Sequence, residues 1–349
     1  MNLINQSDNI YFINVAKTLV IFLIILGHLS IPHDIYLFIN SFHLSLFYIV
    51  TGYLINVDTV SFKKMIVKKV RTLLLPYFLF AFISFLYWFY IGKNYGEDAL
   101  QEHDTIQYLT GVFLAIPSKE YLGFNLPIWF LPSLFCTEIL FYWGKKIFKQ
   151  YSFIVFIFCF GLGVLLKELD IRRIPYGIDV SLFALLLIQM GQWLKSKQLI
   201  EKYICNWSLG IKTGIAVIAF CLTCFISLIN QENGSVYIVD RIFNNYFLFF
   251  AGVFTGNLFI LYLSNCLPVI RLFNFYGRNT IILLGLHLVV FSLIKGIQVF
   301  LLGISIETTQ GLFIVDIIYV VFVFVLLAPV IYCVNKYMPF LLGRKKGFF

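Results

Sequence analysis

A chain of 349 residues with 60% hydrophobic and only 12% charged residues lacks the polar surface of a soluble globular protein, for which roughly 25% charged residues is usual. Forty Phe and 21 Tyr exceed what a water-soluble domain of this size readily buries. A formal charge of +9 would suit a nucleic-acid binder, but the placement of the basic residues accounts for it better, so no nucleic acid is expected as a partner. Apolar runs of about 20 residues, the length needed to cross a hydrocarbon core, recur throughout. The sequence reads as an all-α integral membrane protein, a bundle of about ten transmembrane helices with both termini cytoplasmic. Residues 1–349 form a single membrane-embedded domain with no separate soluble domain. No cleavable signal peptide is expected, because a basic leader and a small-residue cleavage site are missing at the start.

The expected spans are 10–31, 35–56, 72–92, 126–144, 150–166, 177–194, 210–229, 242–263, 279–301 and 311–334. With a cytoplasmic N-terminus, the inner stretches hold Lys63, Lys64, Lys68, Lys69 and Arg71, then Lys145, Lys146 and Lys149, then Lys195, Lys197, Lys202 and Lys212. Arg271 and Arg278 follow, and then Lys336, Arg344, Lys345 and Lys346. That places 18 of 26 basic residues inside, as the positive-inside rule requires. Lys93, Lys119, Lys167, Arg172, Arg173 and Arg241 fall outside. The longest loop, 93–125, is an outer one and carries Glu97, Asp98, Glu102, His103 and Asp104, either as cover for a site or as a solvated connector. All seven Cys lie in apolar or inner segments, so no disulfide framework is expected. The Cys221/Cys224 pair reads as helix packing.

Ionisable groups inside spans are costly and mark function more often than elsewhere. Lys17 and His28 occupy the first segment eleven residues apart, a spacing that puts both on one helical face, separated by roughly 16 Å along the axis. The cation can hold a phosphate or a developing charge, and the imidazole can take a proton near neutral pH. Lys17 can equally snorkel to the interface, and His28 can be a hydrogen-bonded structural residue. In the second segment His43 is either a further polar member of the site or a helix–helix hydrogen bond.

Lys68, Lys69 and Arg71 open the third span. They read as an anion site for the phosphates of a nucleotide cofactor, or as ordinary positive-inside residues. Glu138 is the carboxylate deepest in any span and calls for a basic partner from another helix, whether catalytic or structural. His287 follows Gly277-Arg278-Asn279-Thr280 and sits about 12 Å into its helix, in a packing or a binding role. No P-loop, HExxH, clustered Cys/His set or GxSxG elbow occurs. No metal is expected, and direct transfer assisted by a base fits better than a covalent Ser mechanism.

These residues resemble the membrane acyltransferase-3 family. Lys17 and His28 are similar to its basic-X10-His motif, and Ser41 through Tyr53 to its "fHxPLFFxxSGY" helix. Arg71 through Tyr77 resembles its "RxxxLLxPY", Trp129-Phe130-Leu131 fits as well, and Gly277 through His287 looks like its "GxxSxxxYxxH". Lys17 stands where Arg is usual, Lys68 replaces the first Arg of an Arg-X-X-Arg, Ser45 a Pro and Thr51 a Ser. The first two helices look closest to the exopolysaccharide O-acetyltransferase and fucose 4-O-acetylase-like branch.

The resemblance implies a bacterial inner-membrane O-acetyltransferase that moves acetyl from acetyl-CoA to a hydroxyl of a cell-surface glycan such as an exopolysaccharide or capsule, or of its lipid-linked precursor. Catalytic roles are expected for His28, Lys17, His43 and Glu138, and donor-binding roles for Lys68, Lys69, Arg71, Arg278 and His287. The expected partners are acyl-CoA, a glycan acceptor and the bilayer, with a homodimer left open. No fused extracytoplasmic esterase-like domain is expected. A transporter of lipid-linked sugars, or a non-catalytic membrane scaffold, are the rival readings.

Overall fold

A computed structural model describes the backbone of residues 3–95, 99, 102–171, 173–232 and 234–344, with side chains from residue 11 onward, Cys205 excepted. Glu97, Asp98, Arg172, Lys345 and Lys346, and the Cys205 side chain, lie outside the described residues. Within them the chain is helical, and the one strand-like pairing is an antiparallel bridge between Tyr237 and Ile242. Hydrocarbon offers no partner to an open backbone amide, so helices are the available answer for a sequence this apolar. The helices run α1 Leu3–Leu26, α2 His33–Asn40, α3 Ser45–Leu54, α4 Phe62–Lys69, α5 Leu75–Tyr90, α6 Thr105–Leu114 and α7 Lys119–Leu122. They continue with α8 Phe130–Phe148, α9 Ser152–Glu168, α10 Ile178–Ser196, α11 Leu209–Asn230 and α12 Tyr246–Cys266. The last three are α13 Arg271–Arg278, α14 Thr280–Phe300 and α15 Phe313–Tyr337.

Among the described residues eight helical runs are long and apolar enough to cross a membrane, which makes this a multi-pass membrane protein. A helix occupies each of the ten expected segments. The counts differ because the segments at 126–144 and 150–166 fall within one run, Lys119–Glu168, and Tyr11–Leu26 is a shorter apolar helix.

Three local expectations are corrected. The first helix stops at Leu26, so His28 sits in the turn beyond it, with its amide bonded to the carbonyl of Ile25 at 3.2 Å. The second segment is not one helix, because residues 41–44 form a turn between α2 and α3. The Ser41 hydroxyl donates to the carbonyl of Phe38 at 2.7 Å and the Ser45 hydroxyl to that of Phe42, local bonds that compete with the helical ladder. The third correction is the 93–125 loop, which contains α6 and α7. Asp104, expected as a loop acid, is the N-cap of α6 and accepts from the amides of Ile106 and Gln107 at 2.8 and 3.3 Å.

The third expected span also begins ten residues early, at Phe62, and so carries its basic residues on helical turns. A π-helical turn, Val70–Leu74, joins α4 to α5 just ahead of Pro76. Proline has no amide to give to the carbonyl four residues back, and its ring crowds that position. The wider turn takes up the mismatch.

The residues pack into two compact units. The first comprises Met1–Ile55, Leu187–Thr280 and Gln310–Val320. The second comprises Asn56–Leu186, Ile281–Thr309 and Val321–Phe349. The first unit is built on close helix crossings that only glycine permits. A Cβ at Gly52 would lie 1.9 Å from the carbonyl oxygen of Ile188, and one at Gly191 would lie 1.9 Å from that of Ile49. Likewise, a Cβ at Gly277 would meet the backbone of Asn14 at 2.1 Å, and one at Gly256 the Phe42 ring at 2.2 Å. Small residues at such crossings let dispersion and polar contacts replace the missing hydrophobic drive between helices.

In the second unit Gly285 admits the Phe80 ring, and Gly111 lies against the Tyr121 backbone. The Tyr77 hydroxyl is 3.2 and 3.1 Å from the carbonyls of Gly111 and Val112.

Because the clash at Gly52 is with backbone rather than a flexible side chain, Gly52→Ala should cost about 3 kcal/mol or more, the upper end for overpacking. Thermal unfolding of the purified protein in detergent measures it, with Gly161→Ala, where a Cβ meets nothing within 4 Å, as the neutral control. Equal melting temperatures for the two variants would contradict the crossing.

Candidate functional site

The second unit carries the Lys68–Arg71 stretch. Lys68 lies in the last turn of α4, and Arg71 in the π-helical turn, both exposed. Lys69 between them turns inward. Its Nζ is 2.7 Å from Oε1 and 2.6 Å from Oε2 of Glu138, a fully buried residue on α8. A carboxylate out of water is heavily penalised unless paired, and Lys69 supplies that pairing while keeping part of its own surface wet. The two signals that looked independent in sequence are therefore one structure. Lys69 holds Glu138, and Lys68 and Arg71 are the exposed cations of the stretch. Gly343 seats against the Arg71 backbone, where a Cβ would come within 2.7 Å of its carbonyl oxygen.

His287 is also in this unit, fully buried on α14. Its Nδ1 is 2.9 Å from the carbonyl of Leu284 and 3.1 Å from that of Leu283. A carbonyl only accepts, so Nδ1 carries the hydrogen. Two residues earlier, the carbonyl of Gly285 accepts from Asn125 Nδ2 at 2.8 Å, which donates to Ser84 Oγ at 2.8 Å as well. Asn125 is buried in a non-helical kink (φ −161°, ψ 66°) of the 3₁₀ stretch that leads into Trp129 and α8. Sequence reasoning passed over Asn125, although a polar residue two positions before Pro127, at the mouth of an apolar run, marks a break that needs side-chain hydrogen bonds.

The first unit holds Lys17, His28, His43 and Arg278. α13 docks on α1 through Asn14 Nδ2 to Asn274 Oδ1 at 2.7 Å and Thr18 Oγ1 to the carbonyl of Phe273 at 2.8 Å. The close approach of Gly277 to Asn14 completes this junction. The structure thus brings the segment that carries Arg278 to the turn of α1 that carries half-buried Lys17. Tyr276, buried beside this junction on α13, has its phenol pKa pushed up by loss of hydration. His28 is exposed in the turn after α1. His43 is half-buried in the break between α2 and α3, its Nδ1 2.6 Å from the carbonyl of Ile39. It too carries its hydrogen on Nδ1, which leaves Nε2 as the basic nitrogen. Among the described residues no group of three or more His, Cys, Asp or Glu is placed to hold a metal ion.

Residues 10–336 match the model of the Acyl_transf_3 family, described as an acyltransferase domain. No curated protein and no solved structure matches the chain.

The ion pair makes a quantitative prediction. Lys69→Met strands a buried carboxylate and should cost about 3 kcal/mol, the low end for breaking a buried pair because Lys69 is partly solvated. Replacing both partners, Lys69→Met with Glu138→Leu, should recover most of that loss in a double-mutant cycle. Additive losses would show that the two side chains do not act on each other.

Proposed function

The chain belongs to the Acyl_transf_3 acyltransferase family, and from that premise we propose that it is a membrane-bound O-acetyltransferase that transfers acetyl from acetyl-CoA to a glycan hydroxyl. The observation that carries the reading is the extent of the family match, which takes in both Lys17 and His28 and runs almost to the end of the chain. Residues 1–349 then act as one catalytic domain in a bacterial cytoplasmic membrane, on a capsule, exopolysaccharide or lipid-linked precursor.

In this reading Lys68 and Arg71 bind the phosphates of CoA as exposed cations, and Lys69 holds their turn in place through Glu138. Arg278 and His287 assist in holding the donor. Lys17 steadies negative charge. His28 accepts the proton of the acceptor hydroxyl as its oxygen attacks the thioester carbonyl, with His43 as a further polar group of the site. The acetyl–sulfur bond breaks, the new ester forms, and the CoA thiolate takes up a proton. An imidazole suits this work because its pKa lies near neutrality, and the exposure of His28 supports access by a hydrophilic acceptor.

We further propose that both termini are cytoplasmic, on the strength of the positive-inside distribution of basic residues. Reporter fusions after residues near 65, 147, 200 and 273 should report inside, and one near residue 105 outside. An inside signal at residue 105 overturns that orientation.

The catalytic roles separate by kinetics. Loss of a general base costs on the order of 10²–10⁴ in rate. His28→Gln should therefore abolish acetyl transfer by the purified protein while CoA binding stays near wild type. Arg71→Ala should instead raise the KM for acetyl-CoA, with the turnover rate much less changed. Near wild-type turnover in His28→Gln removes His28 from the mechanism. Loss of acetyl esters from the surface glycan of a deletion strain, restored by wild type but not by His28→Gln, tests the activity as a whole.

A further inference from the structure

The first unit contains a cavity of about 290 Å³ that none of the residues assigned to acyl transfer lines. Its walls come from α3, α10, the π-helical turn Ile200–Cys205 and α12, with Ile49, Trp193, Leu194, Tyr203, Phe254 and Leu261 among them. The volume is at the small end of ligand pockets and suits one apolar chain rather than a bulky ligand.

One amide side chain interrupts this wall, beside the aromatic groups of Trp193, Tyr203 and Tyr262. Asn257 is 2% exposed, and its amide orientation is set by chemistry. Nδ2 donates to the Val253 carbonyl at 2.6 Å, and a carbonyl can only accept. The same Nδ2 donates at 2.7 Å to Ser45 Oγ, whose own hydrogen goes to the Phe42 carbonyl. Oδ1 is therefore an acceptor, buried and without a hydrogen-bond partner among the described residues. Buried polar atoms are almost always satisfied, so this one calls for a donor that the described residues do not supply.

The charges nearby say what else the ligand carries. The stretch that contributes Trp193, Leu194, Leu199, Ile200, Tyr203 and Ile204 also bears Lys195, Lys197 and Lys202, all exposed. Its one acid, Glu201, accepts from the Tyr53 hydroxyl at 2.6 Å. A surface of this kind attracts an anionic head group, while Trp193 and Tyr203 are the side chains that favour a water–lipid boundary.

We propose that this cavity is a binding site for a single-chain anionic lipid. The chain fills the apolar wall, a hydroxyl of the lipid donates to Asn257 Oδ1, and the phosphate is drawn by the exposed Lys197 and Lys202. The lipid is a bound component rather than a reactant, and the site is independent of the acyl-transfer reading.

Radiolabelled lysophosphatidic acid, which has one chain, a free 2-hydroxyl and one phosphate, is the probe for scintillation-proximity binding to the full-length protein in a neutral detergent. Saturable binding is expected, competed by the unlabelled lipid. The 2-deoxy analogue, which lacks the donor, should compete about tenfold more weakly. Lysophosphatidylcholine, with the same chain and hydroxyl but no net charge, should compete more weakly as well.

Leu258→Trp fills the cavity from α12 and should abolish binding. Asn257→Leu should reduce it about tenfold. Since that variant also loses the bond to Ser45, the 2-deoxy lipid on wild-type protein tests the same contact where the variant does not fold. Equal binding by wild type and Leu258→Trp overturns the proposal, because the lipid would then be bound by the general apolar surface. Absence of saturable binding to wild type, as when a second copy of the chain or water alone occupies the cavity, overturns it too. Equal competition by the choline or the deoxy lipid overturns the assignment of the phosphate or of the hydroxyl.

Discussion

Every departure from a continuous helix in this protein has to be compensated locally, because hydrocarbon supplies no hydrogen bonds to a stranded backbone group. The breaks show how that is done. Between α2 and α3 the hydroxyls of Ser41 and Ser45 and the imidazole of His43 donate to the carbonyls of Phe38, Phe42 and Ile39, the last two of which also accept a backbone amide. Ahead of Pro76 the π-helical turn accommodates a missing amide. At Asn125 a side-chain amide ties a kinked stretch to a serine and a carbonyl on two other helices. Polar residues are needed at these breaks for structural reasons, and the same places bear His43 and Arg71 and adjoin His287. Several of the residues proposed for acyl transfer stand at or beside these discontinuities.

That coupling explains what could be read from the sequence. Apolar run length located a helix at each of the ten expected segments, since the thickness of a bilayer is a strong and simple constraint. It could not separate a span from a span with a break, so the Ser41–Leu44 turn went unseen. The two serines that make the turn were read as part of a motif and not as competitors for the backbone. α6 was missed for a different reason. Asp104 followed three positions later by Gln107 is a helix-start pattern, but it lay within a stretch judged by its charge alone.

The candidate site was legible residue by residue and not as a set. Lys69 and Glu138 are 69 positions apart, and burial physics said only that Glu138 needed a cation. Which of three neighbouring basic residues would turn inward is decided by the geometry of α4 and the π-helical turn after it, where Lys69 faces α8 while Lys68 and Arg71 are exposed. Lys17 and His28 were placed on one helical face on the assumption that the helix continued. α1 ends at Leu26, and the tighter turn that follows changes the direction in which the imidazole leaves the chain. The family match sets the chemistry over nearly all of the chain, while the role of each residue rests on the physical arguments above.

The reciprocal glycines of α3 and α10 carry a consequence for motion. At Gly52 and Gly191 each helix presses bare backbone against a carbonyl of the other, with no side chain between them to change rotamer or be compressed. Carbonyl groups and Cα hydrogens in contact at this range add weak polar attraction to close packing. Two rods locked in this way can roll about the crossing but cannot slide past it, since any translation would drive a neighbouring side chain into the partner's backbone. The crossing acts as a fulcrum. Any rearrangement of α3 therefore has to be rotary, and a few degrees of roll near Gly52 become a larger displacement at the far end of the helix.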